Sequence, residues 1–106
     1  MQNFSPSQLR DHLANEENTP LLLDVREPWE FERCRIEGSE LVPMSELNYK
    51  LSELDPQRET VVICHHGIRS RHVGMQLEHI GFTNIINLAG GVDAWAKDID
   101  PDMAVY

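Results

Sequence analysis

The sequence contains few of the residues that crosslink a protein or hold it in a membrane. It has 2 cysteines among 106 residues, too few for a disulfide scaffold or a four-cysteine zinc site, and we expect both to be free thiols. Its longest apolar runs, such as residues 21–23, are far shorter than the roughly 20 residues that span a membrane. The first six residues show neither the basic nor the apolar segment of a signal peptide. These absences predict a cytoplasmic protein without a membrane partner.

Basic residues are also scarce. Lys and Arg number 9 against 18 Asp and Glu, which gives a net charge of −9. Nucleic acids and anionic membranes bind basic surfaces, so the sequence predicts neither as a partner. The acidic residues are spread along the chain, which indicates a well-solvated surface. A docking face for a basic partner is the alternative.

The length and the apolar pattern predict one α/β domain over residues 1–106. A hydrophobic fraction of 41% suits a folded chain rather than a disordered one, and the length leaves little room for a second domain. Short apolar runs alternate with amphipathic segments, which predicts a mainly parallel sheet with helices on both faces. We predict strands over residues 21–25, 41–43, 60–64 and 84–87, and helices over 6–14, 28–33, 45–54, 70–80 and 92–96.

The strongest candidate site follows the strand over residues 60–64. Cys64 ends this strand, Gly67 lies in a short loop, and Ser70 begins the next helix. Ligands of open α/β sheets bind at the carboxyl ends of the strands, where loop amides and a helix N-terminus attract an anion. This arrangement would stabilise a thiolate on Cys64, and Arg69 adds a positive charge and a planar fork for an oxyanion. The alternative is an inert buried cysteine.

Four stretches of the chain resemble the rhodanese-like sulfurtransferases in their single-domain form. Residues 24–27, DVRE, resemble the Asp-Val-Arg strand end of that family, and residues 36–43 resemble its Ile-x-Gly-Ala…Ile-Pro stretch. Residues 64–70, CHHGIRS, resemble its Cys-x-x-Gly-x-Arg-Ser loop. Residues 81–95 resemble its Gly-Phe-x-Asn…Leu-x-Gly-Gly-x-x-x-Trp tail. Together these motifs cover nearly the whole chain, and their order and spacing are highly specific.

The resemblance implies a three-layer α/β/α fold with a mainly parallel, five-stranded sheet, and an enzyme that transfers sulfane sulfur. Cys64 would take a sulfur atom from a small anionic donor such as thiosulfate, forming a persulfide, and would pass it to a thiol or a protein acceptor. The family needs no metal and no organic cofactor. The implied substrate-binding residues are His65, His66, Gly67, Ile68 and Arg69, and the implied loop-supporting residues are Asp24, Arg26 and Ser70.

Two histidines follow the cysteine where an arginine is common in the family. His65 and His66 are mostly neutral imidazoles near pH 7, whereas an arginine is a permanent cation. We therefore expect the donor preference, and the efficiency with thiosulfate, to differ from those of the family pattern.

A cysteine phosphatase of related fold and a non-catalytic interaction module are the alternative functions. The phosphatase loop, Cys-x5-Arg, would require an arginine at the position of Ser70. This chain has Arg69 instead, and the shorter Cys-x4-Arg loop favours a sulfur atom over a phosphate group. The presence of Cys64 disfavours the interaction module.

The histidines near Cys64 also raise the possibility of a zinc site. Adjacent loop residues are not expected to aim at one point, and no two histidines share the i, i+4 spacing of a ligand pair on a helix. No metal site is therefore predicted. Cys34 is predicted to be a bystander rather than a thiol that pairs with Cys64, because nothing in the sequence places it near the loop.

Three further residues have predicted structural roles. Asp24 ends a strand at the same sheet edge as Cys64, and we expect it to hold the loop through the loop's N–H groups rather than to act as a catalytic acid. Trp29 and Trp95 are predicted to be packing residues rather than residues that stack on a ligand.

Overall fold

Five parallel strands form one sheet, in the order β1-β5-β4-β2-β3, in the computed structural model, which describes residues 1 to 106. The strands are β1 (Gln2–Phe4), β2 (Leu21–Asp24), β3 (Glu40–Leu41), β4 (Thr60–Ile63) and β5 (Ile85–Leu88). The helices are α1 (Pro6–Ala14), α2 (Pro28–Arg33), α3 (Leu47–Lys50), α4 (Ile68–His79) and α5 (Gly91–Asp98), and short 3-10 turns at Met44–Glu46 and Leu51–Glu53 flank α3.

The central strand β4 is buried on both faces. Consecutive side chains of a strand point to opposite faces, so Val61 and Ile63 pack under α1 and α5, whereas Val62 and Cys64 pack under α3 and α4. A strand between two helical layers has no polar face, which explains its continuous apolar sequence. The three layers and the five-stranded parallel sheet confirm the predicted fold class.

Strand β1 was absent from the sequence prediction. It has only three residues, Gln2–Phe4, and two of them are exposed. It forms by parallel pairing with β5, in which Phe4 lies opposite Leu88. Because this edge strand depends on a partner far away in sequence, neither its length nor its own pattern marks it as a strand.

Several predicted boundaries shift by a few residues. Helix α4 begins at Ile68 rather than at Ser70, because Gly67 adopts a positive φ of 92° and occupies the N-cap position. Helix α5 extends the predicted residues 92–96 to Gly91–Asp98. The helix predicted over residues 45–54 is divided into α3 and two 3-10 turns. None of the helices is long and apolar enough to cross a membrane.

Two positions on α4 test how much the core contributes to stability. Leu77 is completely buried, whereas Met75 is 54% exposed on the same helix. We expect Leu77→Ala to lower the free energy of unfolding by about 2–5 kcal/mol, because it removes packed methyl groups and leaves a cavity. Met75→Ala should change it by no more than about 0.5 kcal/mol. Urea unfolding of both variants measures the difference, and equal losses would contradict the assignment of Leu77 to the core.

Candidate active site

Cys64 follows β4 at the carboxyl edge of the sheet, beside the end of β2. Its side chain is buried, and its sulfur lies inside the loop that leads to α4. The amide of Gly67 donates a hydrogen bond to Sγ at 3.0 Å, and the thiol donates to the hydroxyl of Ser70 at 3.3 Å. The structure therefore brings together three residues of the predicted site around one sulfur atom.

The backbone amides near this sulfur are available to a ligand. The amides of His65, His66, Ile68 and Arg69 make no hydrogen bond to a protein acceptor. The first N–H groups of an α-helix carry partial positive charge and point away from the helix. Together with the amide of Gly67, we expect them to form a backbone cradle suited to an anionic sulfur or oxygen atom.

The side chain of Ile68 is 67% exposed and points into solvent. Of the binding residues that the sequence predicted, Ile68 can therefore contribute its backbone amide, whereas its side chain extends the exposed apolar surface of α4.

Close backbone packing fixes the shape of the loop. The amides of Val92 and Asp93, in the first turn of α5, donate to the carbonyl oxygens of Cys64 and His65 at 2.9 and 3.1 Å. A Cβ atom at Gly91 would collide with these same two carbonyl groups. A glycine at position 91, the first residue of α5, is thus required for the helix to approach the loop.

Asn87 is a site residue that the sequence analysis missed. It is 3% exposed, and its side-chain oxygen accepts a hydrogen bond from the hydroxyl of Ser70. Its amide nitrogen donates to the carbonyl of Gly67 at 3.3 Å and to the side chain of Asn3 at 3.1 Å. A buried side-chain amide needs such partners, so a polar residue within the apolar strand β5 was the available signal.

Arg69 is already paired in this structure. The two terminal nitrogens of its guanidinium each donate a hydrogen bond to one carboxylate oxygen of Glu30, at 2.8 Å. The planar fork predicted for an oxyanion is therefore occupied by Glu30 in this structure, and the charge remains close to Cys64. The hydrogen bonds from Arg69 lower the pKa of Glu30 to about 2, and the pairing with Glu30 raises the pKa of Arg69 above its ordinary value.

Asp24 supports the site at a distance rather than through the loop amides. Its carboxylate accepts hydrogen bonds from the backbone and the guanidinium of Arg26, the shortest at 2.7 Å. Both side chains are completely buried. Burial by itself would lower the pKa of Arg26, but hydrogen bonds to Asp24 and Tyr106 raise it, so the guanidinium stays charged.

Tyr106 is the second residue that the sequence analysis missed. Its hydroxyl accepts a hydrogen bond from Arg26 at 2.8 Å and donates one to Glu30 at 2.7 Å. Its ring stacks on that of His65 with the centroids 3.9 Å apart. No pattern in the sequence marks this residue, because its role depends on contacts with distant elements.

The two loop histidines stack on each other, with ring centroids 3.9 Å apart. Burial lowers the pKa of His65, and the neighbouring His66 lowers it further. The Nε2 atom of His65 is buried without a hydrogen-bond partner, whereas the side chain of His66 is mostly exposed. His65 is therefore a neutral, enclosed imidazole near pH 7.

His65, His66 and Asp93 each bring a potential metal-ligand atom within 4.8 Å of the others. This trio includes Asp93 of α5, which the sequence analysis did not consider, and it contains neither Cys64 nor the histidines of α4. However, His66 and Asp93 remain 3.8 Å apart, wider than the ~3.4 Å between ligands of a tetrahedral zinc ion with bonds of ~2.1 Å. The carboxylate of Asp93 also binds Lys97 at 2.9 Å. We assign no metal to this group.

Cys34 and the two tryptophans lie in different surroundings. Cys34 is a buried free thiol whose sulfur accepts a long contact of 3.8 Å from Arg26, and it belongs to the core on the opposite sheet face from Cys64.

Trp95 packs in the core as predicted, at 8% exposure. Trp29 is 60% exposed, and its ring packs edge-on against that of Tyr106.

Comparison with known proteins identifies the family. The family model of the rhodanese-like domain matches residues 5–98. The chain belongs to the rhodanese-like domain family. The resemblance inferred from the four sequence motifs is therefore confirmed.

Relatives of this rhodanese-like domain have different overall lengths. A sulfurtransferase from Allochromatium vinosum is 34% identical over 89 residues, which cover 84% of this chain and 82% of that protein. The probable adenylyltransferase/sulfurtransferase MoeZ of Mycobacterium tuberculosis is 36% identical over 105 residues, but this chain spans only 26% of its length. The crystal structure of a rhodanese-related protein from Thermoplasma volcanium is 30% identical with a TM-score of 0.83, covering 93% of this chain and 94% of that one.

Gly67 and Gly38 form a matched pair for testing the loop. Their φ angles are +92° and +88°, but a Cβ would lie 2.9 Å from the amide nitrogen of Gly90 at Gly67, whereas nothing lies within 4 Å at Gly38. We expect Gly38→Ala to cost about 1–2 kcal/mol of stability from backbone strain alone, and Gly67→Ala to cost a further ~1–3 kcal/mol from the collision.

Urea unfolding of these two variants measures the loss of stability. The rate of Cys64 alkylation shows whether the conformation of the loop around Cys64 has changed. Only Gly67→Ala should alter that rate. Equal destabilisation by both substitutions would show that the loop is not packed as described.

The pairing of Glu30 predicts how stability depends on pH. Its pKa in the fold is about 2, against an ordinary value of 4.5. A carboxyl group whose pKa is lowered by folding stabilises the fold above its unfolded pKa, and this contribution is lost as the pH falls toward the folded pKa. We therefore expect Glu30→Gln to lower stability at pH 7 and to lose less further stability than the wild type between pH 4.5 and 2.

Urea unfolding as a function of pH checks this expectation, with Glu32→Gln as the control, because Glu32 is an exposed glutamate on the same helix. Parallel curves for the wild type and Glu30→Gln would contradict the pairing.

Proposed function

We propose that this protein is a sulfurtransferase in which Cys64 carries the transferred sulfur as a persulfide. The observation that supports the proposal is the environment of Sγ, which accepts a hydrogen bond from the amide of Gly67 in a loop whose neighbouring amides have no protein acceptor. Relatives named as sulfurtransferases, including one of nearly the same extent, support sulfur transfer as the activity. The donor and the covalent step are part of the proposal.

The first half-reaction is a nucleophilic displacement at sulfur. The thiolate of Cys64 attacks the outer sulfur of thiosulfate, and a new S–S bond forms at Sγ. The sulfur–sulfur bond of thiosulfate breaks, and its electron pair leaves with sulfite. The cradle of backbone amides would stabilise the attacking thiolate and the terminal sulfur of the persulfide, because fixed N–H dipoles favour a localised negative charge.

The second half-reaction returns the cysteine to its starting state. The thiolate of an acceptor attacks the outer sulfur of the persulfide and forms an acceptor persulfide. The electron pair of the broken bond returns to Cys64, which leaves as a thiolate. Ser70 can rotate its hydroxyl from Asn87 toward this thiolate, because the serine oxygen lies 3.3 Å from Sγ. No oxidant or reductant is consumed in either half-reaction.

The phosphatase alternative fits these contacts less well. A phosphoryl group presents three equatorial oxygens, which need a ring of donors and a positive charge. The loop from Cys64 to Arg69 is one residue shorter than the phosphatase pattern, and the guanidinium of Arg69 is engaged by Glu30 at both ends. A single sulfur atom requires fewer donors, so the geometry favours sulfur transfer.

A paired assay of the wild type, Cys64→Ser and Cys34→Ser tests the proposal. We expect the wild type and Cys34→Ser to transfer sulfur from thiosulfate to cyanide, and intact mass to show one added sulfur after incubation with thiosulfate. Cys64→Ser should lose both, because a serine hydroxyl is not a comparable nucleophile and forms no persulfide. Hydrolysis of an aryl phosphate should be negligible in all three. Cys64-dependent phosphatase turnover that exceeds sulfur transfer would overturn the proposal.

A further inference from the structure

The ring of Tyr106 covers one face of the loop beside Cys64. It stacks on His65 with an angle of 10° between the ring planes, and His66 stacks on the other face of His65. His65 is therefore held between two rings, directly after the cysteine in sequence. Such stacking places the imidazole in one orientation and excludes water from its faces.

The hydroxyl of Tyr106 joins two ion pairs that surround the site. It accepts a hydrogen bond from Arg26, which pairs with Asp24, and donates one to Glu30, which pairs with Arg69. Burial raises the pKa of Tyr106 to about 12, so the phenol remains protonated and able to donate. The side chain of Tyr106 thus connects the end of β2 with α2 and with the start of α4.

We propose that Tyr106 is a positioning residue of the sulfur-transfer site, whose ring fixes the imidazole of His65 beside Cys64 and whose hydroxyl ties Arg26 to Glu30. The kinetic part of this inference rests on the proposed function, whereas its structural part does not. Because His65 directly follows Cys64, an ordered imidazole also orders the backbone amides of the loop. A displacement of that backbone would disturb the geometry on which an attack at sulfur depends.

The environment of His65 provides a readout that a merely stabilising residue would not change. Apart from Tyr106, the charged or titratable groups that face it are His66 on the loop, Asp93 of α5, Glu30 of α2 and Arg69 of α4. Removing the phenol ring opens one face of the imidazole to water, which relieves the burial that holds the pKa of His65 below its ordinary value.

The experiment compares Tyr106→Ala and Tyr106→Phe with the wild type by NMR of the histidine ring protons during a pH titration. Tyr49→Ala is the control, because Tyr49 is 83% exposed and lies on α3. In Tyr106→Ala, the ring-current shift of the His65 protons should disappear and the titration midpoint should move up toward about 6.5. Tyr106→Phe should retain both wild-type values, since it keeps the ring.

Steady-state kinetics with thiosulfate then separate the ring from the hydroxyl. We expect kcat/KM to fall about tenfold in Tyr106→Ala and about threefold in Tyr106→Phe, and to stay unchanged in Tyr49→Ala. If Tyr106→Ala does not fold, Tyr106→Phe alone decides. Wild-type kinetics in Tyr106→Phe would overturn the role of the hydroxyl. The absence of a ring-current shift at His65 in Tyr106→Phe would overturn the role of the ring.

The two proposals fail in different ways. Wild-type protein that transfers no sulfur would refute the proposed function, and the NMR comparison would still decide whether Tyr106 positions His65. An unchanged His65 shift and midpoint in folded Tyr106→Ala would overturn the present inference, whatever the activity.

Discussion

The buried ion pair between Asp24 and Arg26 is the interaction on which the surroundings of the site depend. Two charges without any solvent exposure are costly unless every donor and acceptor is satisfied. The guanidinium of Arg26 meets this requirement by also donating to the carbonyl of Cys34 at 2.6 Å and to the hydroxyl of Tyr106. The need to satisfy one buried cation therefore fixes the turn after α2 and the position of Tyr106, which in turn holds Glu30 and His65.

Local sequence was sufficient to predict the elements that are defined by their own residues, such as a strand buried on both faces or a helix with a capping residue. The β-branched run before Cys64 predicts a strand buried on both faces, and α1 begins at Pro6 as predicted, where Ser5 forms a capping box. Strand β1 and the divided helix around α3 were beyond such reasoning. The first exists because β5 offers a free edge, and the second divides into α3 and two 3-10 turns although its leucines keep helical spacing.

The candidate site shows the same division between local and distant contributions. Cys64, Gly67 and Ser70 are close in sequence, so the short loop and the helix start were enough to place them together. Glu30, Asn87 and Tyr106 come from three other parts of the chain, and each acts through a hydrogen bond that no spacing encodes. The pairing of Arg69 was not predicted for this reason: its chemistry was evident, but its partner was not.

These pairings change what the site can recognise. Asp24, Arg26, Glu30 and Arg69 form two ion pairs whose charges cancel, and His65 is neutral near pH 7. In the proposed reaction, a sulfur donor thus meets two arginines whose charges are already paired, and we expect much of the attraction for an anion to come from backbone amides and the N-terminus of α4. The field of a dipole falls off over a short distance. Backbone amides therefore stabilise negative charge on the single atom held inside the loop more than they attract the donor as a whole. The protein also has a net charge of −9. Its acidic surface does not attract anions from a distance, so long-range attraction adds nothing to the binding of an anionic donor. In the proposed reaction, the site would therefore stabilise the sulfur bound to Cys64, and we expect the donor to be selected by its fit beside His65 and Tyr106.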